Sequence, residues 1–310
     1  MTDFNNRPSI YSVWFEKKKN MAKSNLVFLL SPAKSLDFSF LKLRKKLPFS
    51  SPVYLKKTDA LVKELKKMSK GSLKTLLGVS DSLATLNHER NKNFKLSTGA
   101  KKSKPIEGTF KQCILAYDGA AYGGLQAPIS LTDKDLEYCN DHLRILSGLY
   151  GVLKPMDLIQ PYRLDFGKKL KVDGNSNLYE FWGDDVATEI DKVVGKNGIV
   201  VNCASQEYFK GTNKVLKSKV VNCEFKDDGR IVSVFAKRAR GLMVRYAAKE
   251  RVENLDDLKN FNYEGYQFNA KKSTDTNYIF ERTAKSRPSK PKKRAAPAKA
   301  SGSQAKKKKS

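Results

Sequence analysis

The sequence predicts an α+β fold (mixed α/β), arranged as a single compact domain with a mixed sheet over residues 25–284. Hydrophobic residues make up 40% of the chain, which is enough to build a core. Short β-branched runs and segments with helical apolar spacing alternate irregularly, and there is no internal repeat. The mean hydropathy is −0.55. No apolar run approaches the roughly 18 residues that a membrane span requires, so we expect no membrane span.

Each expected element follows from a local pattern. The run Leu26–Leu30 is typical of a buried opening strand, and Thr132 with Asp135 forms a capping pair that begins a helix. The turn signal at 227–229 predicts a β-hairpin between 219–225 and 230–235. The other expected elements are helices over 59–68, 178–194 and 237–252 and strands over 198–203 and 277–282.

The two ends of the chain differ from the rest. Residues 1–24 are expected to be a flexible leader, with Met21 as an alternative start, and residues 285–310 a disordered Lys-rich tail. The formal net charge is +28, of which the tail carries 11 basic residues and no acid, so +17 remains on residues 1–284. The folded part is therefore basic as well. Such an excess favours a polyanionic partner, either nucleic acid or an anionic membrane surface, or else serves only solubility. Of these partners we expect double-stranded DNA or another nucleic acid and no membrane.

The cysteines and histidines point to a reducing compartment and to no cofactor. Cys113, Cys139, Cys203 and Cys223 form no C-x-x-C pair, which predicts reduced, mostly buried thiols and a cytoplasmic location. With only two histidines, a dedicated metal site is not expected. Residues 290–294, KPKKR, also allow a nuclear location.

Two predicted strands end in polar residues that are candidates for acid–base chemistry. Lys34 and Asp37 follow the first strand, and Glu207 follows the strand at 198–203. Because ligands of open α/β sheets bind where strands end, these side chains can form a site. Ordinary turn and capping chemistry explains them equally well.

The segment 143–167 contains glycines between apolar residues. It fits a helix, a short hairpin and a second helix, in which the hairpin backbone approaches a phosphate and Lys154 adds charge. A tight turn between two core elements is the alternative. Arg163 then either binds a phosphate or pairs with Asp165, a fourth acid–base candidate.

The predicted helix 237–252 has one apolar face between two basic edges. Arg240 lies on one edge and Arg245 on the other. These arginines either contact phosphates or keep the surface soluble.

Six blocks in this order resemble the peroxide stress protein YaaA family, also called UPF0246 or DUF328. They are SPAKSLDF, LRILSGLYGVLKPMDLIQPYRLDFG, LYEFW, NCASQEYFK, ARGLMVRY and EGYQF. The resemblance implies a DNA-binding protein of the response to hydroperoxide, with a helix-hairpin-helix element and a basic cleft, that limits iron-dependent oxidative damage. On this chain the hairpin falls on Ser147, Gly148, Leu149, Tyr150 and Gly151. We place Lys34, Arg163, Arg240 and Arg245 around the cleft.

The chain departs from the family pattern at one block. Ala120 stands where the family has an acid, with Asp118 just before it. Two other functions stay open: an enzyme acting on a nucleotide or nucleic acid in the same cleft, and direct iron binding by carboxylates. The sequence does not define the oligomeric state.

Overall fold

The computed structural model describes residues 26–39, 49–96 and 109–287. The predicted leader 1–24 and nearly all of the predicted tail 285–310 lie outside the described residues. The strands are β1 (Leu26–Leu30), β2 (Ser35–Leu36), β3 (Lys111–Gln112), β4 (Tyr117–Asp118), β5 (Leu143–Ser147), β6 (Gly151–Leu153), β7 (Leu158–Ile159), β8 (Ile199–Cys203), β9 (Lys219–Asp227), β10 (Gln267–Phe268) and β11 (Asn277–Arg282).

The helices surround this set of strands. They are α1 (Leu55–Lys67), α2 (Lys70–Leu77), α3 (Asp81–Asn93), α4 (Cys113–Ala116), α5 (Ala120–Leu125), α6 (Ala127–Ser130), α7 (Asp133–His142), α8 (Leu178–Trp182), α9 (Asp185–Val194), α10 (Gln206–Asn213) and α11 (Ser233–Glu250), with 3₁₀ turns at Asp256–Asn260, Tyr263–Gly265 and Ala284–Ser286. Within the described ranges, no helix is both long and apolar enough to cross a membrane.

A seven-stranded mixed sheet organises the core, in the order β10-β11-β9-β8-β1-β5-β6. The five inner strands are parallel, and each edge strand is antiparallel to its neighbour. All five residues of β1 are buried, as a central strand with helices on both faces requires. The mixed α/β fold predicted from the sequence is confirmed.

Several local predictions are also confirmed. Strands occupy Leu26–Leu30 and Asn277–Arg282, and helices cover most of 59–68 and 237–252. The hydroxyl of Thr132 accepts from the Asp135 N–H, while the Asp135 carboxylate accepts from the Thr132 N–H. The predicted helix 178–194 is divided in two at Gly183, which has a φ of +48°.

The prediction of two helices around residues 147–151 is wrong. Residues 143–147 form the fully buried strand β5, which pairs antiparallel with β6 through a three-residue turn. Continuous burial removes the polar positions that distinguish a strand from a helix in sequence. A pair of helices joined by a short turn does occur elsewhere, where α2 and α3 meet through Gly78 in the left-handed conformation.

The turn between β5 and β6 is enclosed on every side. Ser147, Leu149 and Tyr150 are at most 2% exposed. The indole Nε1 of Trp182 donates to the Gly148 carbonyl at 3.0 Å, and a Cβ on Gly151 would come within 2.8 Å of the Trp182 ring. A phosphate group therefore has no access to this turn, and the proposed interface below rests on other residues.

Of the hairpin predicted at 219–235, the first strand is confirmed and the second strand is wrong. β9 extends through Asp227, but the returning chain pairs only at Arg230 and enters helix α11 at Ser233. Ile231 and Val234 are more than half exposed, so no apolar face fixes a second strand here.

Candidate functional site

The carboxyl ends of β1 and β8 meet at one edge of the sheet. The Ser31 hydroxyl accepts from the Ser205 N–H at 2.8 Å and lies 3.3 Å from the Ser205 hydroxyl. In the sheet, β5 lies beside β1 on one side of this point, and β9 lies beside β8 on the other. The connection after β1 and the connection after β8 therefore leave in opposite directions. Such a switch point opens a crevice at the carboxyl ends of the strands, and ligands of α/β proteins bind there.

Three of the four predicted acid–base candidates meet beside this crevice. The Lys34 ammonium lies 3.5 Å from Oδ2 of Asp165. The Glu207 carboxylate accepts from the Gly167 N–H at 3.2 Å, which ties the start of α10 to the loop that carries Asp165. The lysine side chain is 62% exposed and that of Asp165 is 6% exposed, so a solvated cation covers a buried carboxylate.

Asp165 keeps one oxygen available. Its Oδ1 accepts from the Tyr208 hydroxyl at 3.3 Å. Its Oδ2 is buried and has no hydrogen-bond partner among the described residues, and the ion pair with Lys34 is too long for a well-formed hydrogen bond. Burial, followed by the nearby Asp165 charge, raises the pKa of Tyr208, so this tyrosine stays a neutral donor. The free carboxylate oxygen can accept a proton or hydrogen bond from a ligand.

The fourth candidate, Asp37, lies apart from this group. Its carboxylate accepts from the Ser39 N–H at 2.8 Å, and the Asp37 pKa is lowered first by a hydrogen bond from the Ser39 side chain and then by this backbone N–H. The Lys111 ammonium binds the Asp37 carbonyl. Among the described residues, no contact connects the Asp37 carboxylate to Lys34, Asp165 or Glu207.

A network of buried tyrosines supports the crevice from below. The Tyr162 hydroxyl lies 2.6 Å from that of Tyr117 and 2.7 Å from that of Ser147. The Tyr122 hydroxyl donates to the Ser31 carbonyl at 3.1 Å. Burial is the first cause that raises the pKa of Tyr117 and of Tyr122. Sequence reasoning did not find this network because its members come from separate elements with no shared spacing.

An open cleft of about 1070 Å³ adjoins this crevice. It lies where β8 ends while β9 continues, between α10 and α11. Its charged and polar lining includes Ser205, Glu207, Lys210, Lys237 and Arg240. Arg240 forms no ion pair within the described ranges, and burial is the main cause that lowers its pKa. Arg240 therefore lines this cleft as a cation without an acidic partner among the described residues.

The structure also brings together an arginine pair that the sequence did not reveal. Arg90 on α3 lies close enough to Arg163 that its pKa is lowered, first by burial and then by the Arg163 charge. The Nε of Arg163 is buried, and no described residue forms a hydrogen bond with it. In the described part of the chain, neither guanidinium pairs with a carboxylate, so Arg163 does not pair with Asp165.

The remaining predicted basic residues lie at other places. Lys154 is exposed at the end of β6. Arg245 binds the Gln126 side chain and lies 5.1 Å over the ring of Tyr263, on a different face of α11 from Arg240. The predicted basic residues therefore do not share one surface.

No group of three or more potential metal-binding side chains comes together within the described ranges. Ala120, the departure from the family block, begins α5, while Asp118 pairs through its backbone with Ser35 in the small β2–β4 sheet.

The fold and site define a mixed α/β protein with an open cleft at the strand exits. The family described as "Peroxide stress protein YaaA" matches residues 26–272. A UPF0246 protein of Ralstonia nicotianae is 42% identical over 266 residues, covering 84% of this chain and 100% of the relative. UPF0246 proteins of Flavobacterium psychrophilum and Burkholderia mallei are 42% and 41% identical, covering 82% and 84% of this chain and 99% of each relative. The chain belongs to the peroxide stress protein YaaA family, which implies a role in the oxidative stress response.

Proposed function

We propose that this protein acts in the response to hydroperoxide by binding nucleic acid, duplex DNA above all, through contacts to the phosphate backbone. The observation that carries this proposal is the Arg90–Arg163 pair. Both side chains are partly buried, the Arg163 charge acts on Arg90, and no carboxylate forms an ion pair with either of them in the described part of the chain.

Like charges held together in this way destabilise a folded chain unless an anion joins them. A phosphate supplies both the negative charge and several acceptor oxygens, and arginine binds it through paired N–H groups. The buried Nε of Arg163 is a donor that such an oxygen would satisfy. The net charge of +17 on residues 1–284 favours approach of any polyanion to this surface.

The helix pair α2–α3 also supports the proposal that Arg90 and Arg163 bind a phosphate. The Lys168 ammonium donates to the Leu77 carbonyl at 2.9 Å, which fastens the loop after Arg163 to the turn between the two helices. Arg90 lies near the end of α3. The helix pair and the loop that carry these arginines are therefore held against each other, and the exposed Lys34 adds a further cation beside Asp165 of the same loop.

The test is duplex DNA affinity measured across a range of salt concentrations with the full chain. Arg163→Gln and Arg90→Gln should each weaken binding and reduce the slope of log K against log salt by about 1, as expected for one lost phosphate contact. Lys272→Gln is the charge-matched control, because Lys272 pairs with Glu281 at the other side of the sheet.

The same measurement on residues 1–287 separates the folded domain from the basic tail. Wild-type affinity and slope in both arginine variants would contradict the proposed interface. Loss of all binding on removal of residues 288–310 would assign DNA binding to the tail alone.

A second function is favoured by the free Oδ2 of Asp165 beside Lys34. An enzyme acting on a nucleotide or nucleic acid would use this carboxylate as a base and the lysine to hold a phosphate. Nucleotides and oligonucleotides incubated with the full chain should then be converted, and Asp165→Asn should abolish the conversion. A lack of turnover across such a panel would exclude this function for the substrates tried.

A further inference from the structure

Two of the four cysteines lie side by side on neighbouring strands. β8 and β9 are parallel, and the last pair in their register joins Asn202 to Asn222. Cys203 and Cys223 are the next residue on each strand. Neighbouring strands are about 4.8 Å apart, which falls within the range of Cα separations that disulfides span. Residues matched in register also project from the same face of a sheet.

The two thiols differ in their access to solvent. Both side chains are buried, Cys203 at 0% and Cys223 at 5% exposure. Cys223 nevertheless lines the cleft, together with Arg240 from the helix that covers this face of the sheet. Arg240 is close enough to both cysteines that each influences its pKa. A small uncharged oxidant in the cleft would therefore contact Cys223 first, and Cys203 lies beside Cys223 on the neighbouring strand.

We propose that Cys203 and Cys223 are a redox pair that a hydroperoxide oxidises to a disulfide between β8 and β9. In the first step the Cys223 thiolate attacks the terminal peroxide oxygen. The O–O bond breaks, an alcohol or water leaves with the proton that the thiol gave up, and Cys223 becomes a sulfenic acid. In the second step the sulfur of Cys203 attacks the sulfur of Cys223, the S–O bond breaks, and water leaves with the proton from Cys203.

The surroundings of the pair determine how fast it reacts. The Cys203 side chain, through a hydrogen bond, and then burial raise the pKa of Cys223 well above its usual value, while the Arg240 charge acts in the opposite direction. The reactive thiolate is therefore a minor species at neutral pH. Oxidation should be slow compared with that of an exposed thiolate. As long as the pH stays below the Cys223 pKa, each rise of one pH unit should accelerate oxidation about tenfold, because the thiolate fraction rises tenfold.

The other two cysteines provide internal controls. Cys113 donates to the Lys154 carbonyl at 3.0 Å, and Cys139 is buried with its pKa raised to about 12 by burial, then by Asp135. Neither lines the cleft. The proposal does not depend on the proposed DNA binding, because it rests on strand register and cleft access alone.

The experiment treats the reduced full chain with hydrogen peroxide, blocks the remaining thiols with an alkylating agent and maps the peptides by mass spectrometry. We expect two of the four thiols to be lost, one cross-linked peptide pair joining Cys203 to Cys223, and full recovery with a dithiol reductant. No thiol loss, or loss without this cross-link, would overturn the proposal.

Variants identify the role of each residue. In Cys203→Ala, a sulfenic-acid trapping reagent should label Cys223, because no second thiol is present to form the disulfide. Cys139→Ala should form the Cys203–Cys223 disulfide at the wild-type rate. Arg240→Gln should slow disulfide formation about tenfold for each pKa unit by which it raises the Cys223 pKa. Lys237→Gln, in the same cleft, is its charge-matched control. Equal rates in these last two variants would refute the role of Arg240, and labelling of Cys113 or Cys139 instead of Cys223 would refute the assignment of the reactive thiol.

Discussion

The contact between helices α5 and α11 allows a sharp test, because two adjacent glycines of α5 face it differently. A Cβ on Gly124 would overlap the Arg238 carbonyl oxygen and come within 3.0 Å of the Leu242 nitrogen. A Cβ on Gly123 would meet only the end of the Arg238 side chain, at 3.6 Å, which is an ordinary contact. Gly124→Ala and Gly123→Ala therefore add the same methyl group in the same helix with opposite consequences.

The magnitudes follow from what each methyl group displaces. At position 124 the obstacle is backbone, so the helices must separate by roughly 1 Å, and contacts across the seam lose a quarter to a half of their dispersion energy. Overpacking costs about 1–3 kcal/mol, and a rigid obstacle places this variant near 3 kcal/mol. At position 123 alanine gains up to about 1 kcal/mol of helix propensity at no steric cost. The two variants should differ in free energy of unfolding by about 3 kcal/mol.

Urea unfolding followed by circular dichroism measures both variants, with unchanged m-values as the condition for comparing midpoints. Gly124→Ala should unfold at clearly lower urea than the wild type, and Gly123→Ala at equal or higher urea. Equal midpoints for the two variants would show that the backbones of α5 and α11 do not approach closely enough at Gly124 to exclude a methyl group. The cleft residues carried by α11 would then be misplaced as well.

Two further predictions concern buried charges. Burial tends to raise the pKa of Asp135, but hydrogen bonds led by that from Lys249 outweigh it and bring the pKa to about 2. Because the folded pKa lies below the unfolded value of about 3.9, the ionised carboxylate should contribute about 2 kcal/mol to the free energy of unfolding above pH 4. This contribution is lost as the pH falls through 2. Asp135→Asn should therefore be less stable than the wild type at pH 7 and should match it in acid unfolding near pH 2. Arg282→Met should cost about 3 kcal/mol in urea unfolding, because it leaves the buried carboxylate of Asp227 without its 2.8 Å partner. A loss below 1 kcal/mol would show that the other donors to Asp227 are sufficient.

The sequence predicted those parts of the fold that have a clear local signal. The strand Leu26–Leu30 is bounded by polar residues, and the capping pair at Thr132 has a defined spacing. β5 has no such signal, since a strand buried at every position shows no alternation. The turn at 227–229 has a hairpin signature, but the chain beyond it finds a better apolar contact as the helix α11.

The site shows the same division between local and long-range information. The rule that strand ends share an edge predicted that Lys34 and Glu207 lie on the same side of the sheet, but it also included Asp37, which lies apart, and it did not predict that Asp165 joins them. The pairing of Arg90 with Arg163 was not predicted either, because α3 approaches the later loop only in the folded chain. No spacing within either segment identifies the other.

Partnering, rather than the total charge, distinguishes functional basic residues in this chain. Along α11, Arg238 pairs with Glu264 at 2.5 Å, whereas Arg240 has no acidic partner in the described part of the chain. Both contribute equally to the net charge of +28, but only the second retains its full attraction for a ligand. A cation that is partly buried without a counter-charge weakens the fold, and a bound anion or a neighbouring thiolate compensates for it. Arg163 and Arg240 meet this condition, so substitutions there test function while substitution of Arg238 tests packing.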